Sequence, residues 1–164
     1  MAIIKVQNVS LVAQPKNALC WWASAQMCYL WSQATGNGSM IDPLADETGF
    51  KQRYEDNKNW FCGDNAFMAG KMKMVQISSI GMDFDSLNSA LSKHGPIFTS
   101  VQKNWNGNDY GHAVVMGGVA DTGVFVYDPM PVGYGSSLWL TWEQMSKAID
   151  AVADVAKPSF LAAA

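Results

Sequence analysis

Cys20 begins the run Cys20–Trp31 (CWWASAQMCYLW), in which only Ser24 and Gln26 are plainly polar. That pattern predicts a helix apolar nearly all round and therefore buried. A cysteine at its start faces unsatisfied N–H groups and the positive end of the helix dipole, which favour thiolate over thiol. Cys20 is thus placed to act as a nucleophile. Such a thiol needs a base within hydrogen-bond reach, and the chain holds two histidines, His94 and His112. His94 closes a surface-type helix, where partial positive charge is favoured. His112 opens an apolar strand (HAVVMGGV) after a glycine-rich loop and is the better base. An imidazole works best when a carboxylate or amide holds its other nitrogen. Asp128 ends the neighbouring strand directly before Pro129, and a tight turn returns it to the level of His112. Each of these residues also has a purely structural reading: a buried apolar cysteine, a core histidine, an Asp-Pro turn opener.

The elements that must position these groups are legible in part. Asn17 is the expected N-cap of the cysteine helix and Gly36 its stop. Residues 40–74 are irregular, with a charged amphipathic piece (DETGFKQRYEDNKNW) and an Ala/Met-rich piece (AFMAGKMKM) predicted as short helices. Asp85 is expected to cap a short helix with Leu87, Ala90 and Leu91 on its apolar face, ended by Gly95-Pro96. The period then changes from helix to strand. Ile97–Val101, His112–Val119 and Val124–Tyr127 are β-rich, and Asp121-Thr122-Gly123 joins the last two as a hairpin. A short strand at Leu138–Leu140 precedes a closing helix, which opens with Thr141 and Gln144 at capping-box spacing and buries Met145, Ala148, Ile149 and Val152. Helices first and an antiparallel sheet second make the predicted class α+β.

The order Gln14, Cys20, His112, Asp128 resembles the papain-like cysteine peptidases. In that family a Gln six residues before the nucleophilic Cys donates to the oxyanion hole, and Gln14 precedes Cys20 by six. An aromatic residue tends to follow the Cys, as Trp21 does, and the His tends to open a Gly-His-Ala-Val strand, matched by Gly111-His112-Ala113-Val114. The third member, Asn or Asp, lies on the next strand, as Asp128 does. The resemblance runs from Gln14 to about Gln144 and is nearest to compact bacterial members, the leader-peptidase domains and the AvrRpt2-like effector proteases. It implies a papain-like fold, with an N-terminal helical half carrying the nucleophile helix and a C-terminal antiparallel sheet half. Two departures stand out. Plant and lysosomal papains carry a disulfide-forming Cys where this chain has Asn17, and they usually have Asn where Asp128 stands.

Composition narrows the function classes. The chain has 164 residues, 49% hydrophobic and 15% charged, which suits one domain spanning 1–164. Eleven basic against fourteen acidic side chains leave a net charge of −3, too little positive field to hold a phosphate backbone, so nucleic acid is not an expected partner. No apolar run approaches the ~20 residues of a membrane span, and the start lacks the pattern of a removable signal peptide. A soluble domain of cytoplasmic type is expected. The three cysteines match no zinc motif, and neither metal nor cofactor is expected. Cys20 and Cys28 on one helix would stand ~12 Å apart, beyond the ~7 Å limit for a disulfide, while a pairing with Cys62 stays open. Trp105 and Tyr110 flank the loop before His112 and could line a substrate cleft, yet aromatic residues near a sheet end are more often packing, so both stay outside the expected site.

Three classes of function remain. The first is a cysteine endopeptidase acting on protein substrates, with Cys20 as nucleophile, His112 as acid and base, Asp128 orienting it, and Gln14 with the Cys20 N–H holding the oxyanion. The second keeps the thioester chemistry in an amidase, deamidase or transglutaminase. The third is a catalytically silent binding module. Cell-wall peptidases of the NlpC/P60 type generally lack an upstream Gln, so Gln14 favours the protease. No inhibitory pro-segment is recognisable in the thirteen residues before Gln14, although a longer parent chain would hide one. The expected setting is therefore a bacterial effector or toxin domain, delivered by a dedicated secretion system and restrained by a cognate immunity protein.

Overall fold

The computed structural model describes residues 3–164, apart from the side chain of Trp105. A short strand β1 (Ile3–Lys5) is followed by an extended segment and then by α1 (Cys20–Thr35), which Gly36 ends in the left-handed conformation. Residues 40–74 form small helical pieces, α2 (Lys51–Glu55) and α3 (Asn65–Met72), with single 3-10 turns before each. Strand β2 (Val75–Ile77) leads to α4 (Phe84–His94), stopped by Gly95. Then come β3 (Ile97–Trp105), β4 (Asn108–Ala120), β5 (Gly123–Asp128), β6 (Ser136–Thr141), α5 (Trp142–Asp150) and β7 (Phe160–Ala162). The class is α+β, as expected.

The described strands form one antiparallel sheet in the order β2-β7-β3-β4-β5-β6, and β1 pairs with β4 beyond the end of β3. Side-chain alternation along β3 and β4 divides the interior in two. Phe98, Ala113 and Val115 pack with Trp21, Ala25 and Cys28 of α1 and with Met68 and Met72 of α3. Ile97, Val101, Val114 and Met116 pack instead with Leu87 and Leu91 of α4 and Met145 and Ile149 of α5. A strand covered on both faces must be apolar along its length, which is why HAVVMGGV is continuous rather than alternating. Each fully buried side chain of this kind is worth about 1.5–3 kcal/mol.

Several expectations change. Asn17 does not cap α1. Leu19 occupies the N-cap without a side-chain bond, and the Asn17 side chain accepts instead from Asn57 Nδ2 at 2.9 Å. The cap of α4 is Asp83, whose carboxylate accepts from Ser86 N at 2.8 Å, because its extended backbone aims the side chain at the third helical N–H. Asp85 sits inside the first turn, where its charge still meets the helix dipole. The glycine-rich loop before His112 is a hairpin. Asn106 and Gly107, with φ of 51° and 79°, turn β3 into β4 so that Trp105 pairs with Asn108. Two residues of positive φ match the right-handed twist of the strands, and Asn-Gly supplies them readily. Nor is the sheet confined to the C-terminal half, since β1 and β2 join it from the other half. The capping box of α5 is present as expected, with Thr141 and Gln144 bonding reciprocally.

Candidate active site

Three segments converge on one point, and backbone bonds tie each pair together. Ser24, one turn after Cys20, donates from Oγ to the Ala113 carbonyl at 3.0 Å, which sets the depth of α1 against the residue next to His112. The Trp21 indole is buried and donates to the Lys58 carbonyl at 2.9 Å, turning the N-terminus of α1 toward the helical pieces of residues 46–60. Gln14 N–H donates to the Pro129 carbonyl at 3.1 Å, and Gly133 N–H donates to the Gln14 carbonyl at 3.0 Å. The chain entering α1 is thereby fastened to the segment that carries Asp128. All three cysteines are free thiols, so Cys62 pairs with neither of the others.

His112 and Asp128 form the centre. The β3–β4 register sets Val101 opposite His112, and the β4–β5 register sets Val115 opposite Tyr127, so Asp128 lies one step further, level with Val114. Across that diagonal His112 Nε2 and Asp128 Oδ1 are 2.7 Å apart. A carboxylate only accepts, so Nε2 carries the proton and donates, and Nδ1 is left for Cys20. His112 is 6% exposed and Asp128 5%. Asp128 Oδ1 also accepts from Met130 N–H at 2.9 Å, an Asx turn that explains why Asp stands two residues before Met130. Oδ2 accepts from Lys103 Nζ at 2.5 Å.

Burial opposes charge on the imidazole, but the Asp128 hydrogen bond and the nearby Cys20 outweigh it, and the His112 pKa rises to about 9. Burial likewise opposes ionisation of Asp128, yet His112, Lys103 and the Met130 N–H hold its carboxyl below its ordinary range. Cys28 has the opposite environment. It is fully buried, donates weakly to the Pro96 carbonyl at 3.7 Å, and burial pushes its thiol to about 12. It is a core residue, as expected.

Cys20 is half-buried in the wall of a cleft of about 1340 Å³, shared with His112, Tyr110 and Asn17 and floored by the aromatic group Trp21, Phe50 and Trp60. The Cys20 N–H has no acceptor among the described residues, as an uncapped helix start allows. Gln14 is placed differently from a free donor. It is 1% exposed and does not line the cleft, and its Nε2 donates to the Lys16 and Asn17 carbonyls at 2.9 and 3.0 Å. Its Oε1 has no hydrogen-bond partner among the described residues. The His94 ring, far along the chain from this site, bonds through Nδ1 to the Ala164 carbonyl at 2.6 Å.

Two residues join the site without having been expected there. Tyr110 stacks edge-on against His112 with ring centroids 5.8 Å apart, and burial together with the charges of Asp128 and Cys20 raises its pKa. Lys103 is opposite Tyr110 on β3. The Asn-Gly turn was the available signal, because extending the hairpin back from it carries both residues to the level of His112. The Trp105 side chain lies outside the described part.

A buried imidazole bonded to a carboxylate, with a thiol at a helix start across the ring, is suited to acyl transfer through a thioester. Comparison with curated proteins gave no match. A family model described as papain-like cysteine protease AvrRpt2 matches residues 3–150, and the chain belongs to that family of cysteine proteases.

Proposed function

We propose that Cys20, His112 and Asp128 are the catalytic triad of this hydrolase and that it cleaves internal peptide bonds of protein substrates. The observation that carries this reading is the 2.7 Å bond from His112 Nε2 to Asp128 Oδ1, which reserves the other ring nitrogen for Cys20. Cys20 Sγ attacks the scissile carbonyl carbon, and the carbonyl π electrons move to oxygen. His112 gives its Nδ1 proton to the leaving amine as the C–N bond breaks. The now neutral imidazole takes a proton from water, whose oxygen attacks the thioester and releases the acid and Cys20. The Cys20 N–H is one donor to the oxyanion. Gln14 Nε2 is the second, supplied when it exchanges one of its two carbonyl partners for the charged oxygen. The papain fold is the architecture we assign to this single domain.

The biological setting we propose is an effector or toxin domain, delivered into another cell and held in check by a cognate inhibitor. With Cys20 half-buried beside an open cleft, restraint must come from narrow specificity or from a protein that covers the cleft. Comparing protein termini in cells that make the wild type or Cys20→Ala tests the activity. New termini confined to the wild type support it, and identical termini in both would refute it.

A further inference from the structure

Asp128 has two oxygens and divides them between two cations. Oδ1 faces His112, while Oδ2 meets Lys103 Nζ at 2.5 Å. The lysine side chain is 37% exposed and the aspartate side chain 7%, so the lysine reaches inward from the surface with its stem over the carboxylate. Lys103 does not line the cleft. Its contact with the site runs through Asp128 Oδ2, the oxygen that His112 does not use. Register explains the placement: Lys103 lies two residues beyond Val101, the partner of His112, and so emerges on the same face of the sheet.

We propose that Lys103 is a positioning residue of the triad: its ammonium group pins Oδ2 so that Oδ1 stays on His112, and it cancels the carboxylate's net charge. The proposal rests on the reading of Cys20, His112 and Asp128 as the triad. Without Lys103, His112 would face a full negative charge held by the Met130 N–H alone. With it, the partner of His112 is a dipole without net charge. The imidazolium is then held firmly enough to form and loosely enough to give its proton to a leaving amine. The other titratable groups bearing on His112 are Cys20 from α1 and Tyr110 on its own strand.

The effect of removing the charge follows from distance. Lys103 Nζ and His112 Nε2 are separated by one carboxylate and two short bonds, about 7 Å, and at that separation the Coulomb range runs from about half a pH unit in bulk water to nearly two at an effective dielectric of about 20, with about one pH unit as its intermediate value. In Lys103→Met, which keeps the stem, the His112 titration followed by NMR should move upward by about one pH unit. The alkaline limb of kcat should follow, with KM unchanged, and Lys103→Arg should restore the wild-type titration. A neutral amide offers a second test. Asp128→Asn leaves Lys103 as an unpaired cation beside His112, whereas adding Lys103→Met replaces a neutral pair by two neutral groups. The double variant should turn over at least about threefold faster than Asp128→Asn alone. A His112 titration unmoved in Lys103→Met, or a double variant no faster than the single, overturns the proposal. The titration needs no substrate, so its failure is distinct from failure of the triad reading, which turnover by Cys20→Ala would reveal.

Discussion

Asp128→Ala removes the partner that holds charge on His112 and leaves the burial that opposes it. The His112 pKa rises from 6.5 to about 9, roughly 2.5 pH units, which at 1.36 kcal/mol each is about 3 kcal/mol of imidazolium stabilisation net of burial. Cys20 supplies part of this, but the Asp128 hydrogen bond is the largest favourable contribution. Without it the alkaline limb should fall by about two pH units, to 6.5 or slightly above. At pH 8 the wild-type imidazole is about nine-tenths protonated, and one titrating near 6.5 is about 3% protonated, a loss of about 30-fold. At pH 6 the same shift costs less than about twofold. Lost orientation of the ring adds a further factor, but one that does not vary with pH.

The pH dependence of the loss is therefore the diagnostic, not its size at one pH. The assay is kcat/KM against pH for a peptide carrying a site found by terminus mapping. The rate of Cys20 alkylation by iodoacetamide over the same range is a substrate-free companion. Asp128→Asn should lie between wild type and Asp128→Ala, since an amide still orients the ring without its charge. An alkaline limb that stays near 9 in Asp128→Ala would refute the electrostatic reasoning, even if overall activity fell.

Three further outcomes are expected. Gln14→Ala should lower kcat about 10²- to 10³-fold with KM little changed if Gln14 completes the oxyanion hole; a change confined to KM or to folding stability would reduce Gln14 to a tie for the Lys16–Asn17 turn. A thiol-directed alkylator should label Cys20 first, Cys62 more slowly and Cys28 last, since burial raises the latter two thiols and Cys28 is also inaccessible; mass spectrometry finding Cys28 or Cys62 ahead of Cys20 would contradict the site. The stability difference between wild type and Asp128→Ala should also depend on pH. The raised His112 pKa gives stability that is full below 6.5 and lost as pH rises through about 9, while the lowered Asp128 pKa gives stability lost as pH falls below 3.8. Urea midpoints should thus differ most between about pH 4 and 6.5, and a difference independent of pH would count against the ion pair.

The sequence was most readable where local chemistry and tertiary role coincide. Gly36, Gly95 and the Thr141–Gln144 capping box act within one turn of their own residues, and each performs as its type suggests. The three-residue strands were invisible for the opposite reason. Phe160–Ala162 is buried on every residue between β2 and β3, so it carries no polar alternation, and three apolar residues before a run of alanines have no period to read. Asn17 has the right residue type for a cap, but a partner 40 residues away, Asn57, takes its side chain. In the candidate site, Cys20 and His112 stand out because cysteine and histidine are rare in this chain, and Asp128, one of eleven aspartates, stands out by its order after them and its place before Pro129. Lys103 was not, because a lysine near a strand end is ordinarily a solvated surface charge. Only the register that the Asn106-Gly107 turn imposes reveals that this one faces a buried carboxylate.

The same competition between local and tertiary demands explains the start of α1. A side-chain cap at position 19 would stabilise the helix by about 1 kcal/mol, yet the residue there is Leu19, 1% exposed in the core beside Trp21. Burying a leucine is worth about 1.5–3 kcal/mol, so packing wins the position on stability alone. The consequence is chemical. If Cys20 is the nucleophile, as proposed, a capping oxygen would accept from the N–H groups of the first turn, next to the thiol, and would bring a lone pair to the place where negative charge develops. An apolar N-cap leaves those N–H groups without a side-chain acceptor. On the proposed mechanism they are then available to the developing oxyanion, an interaction made in the transition state rather than the ground state.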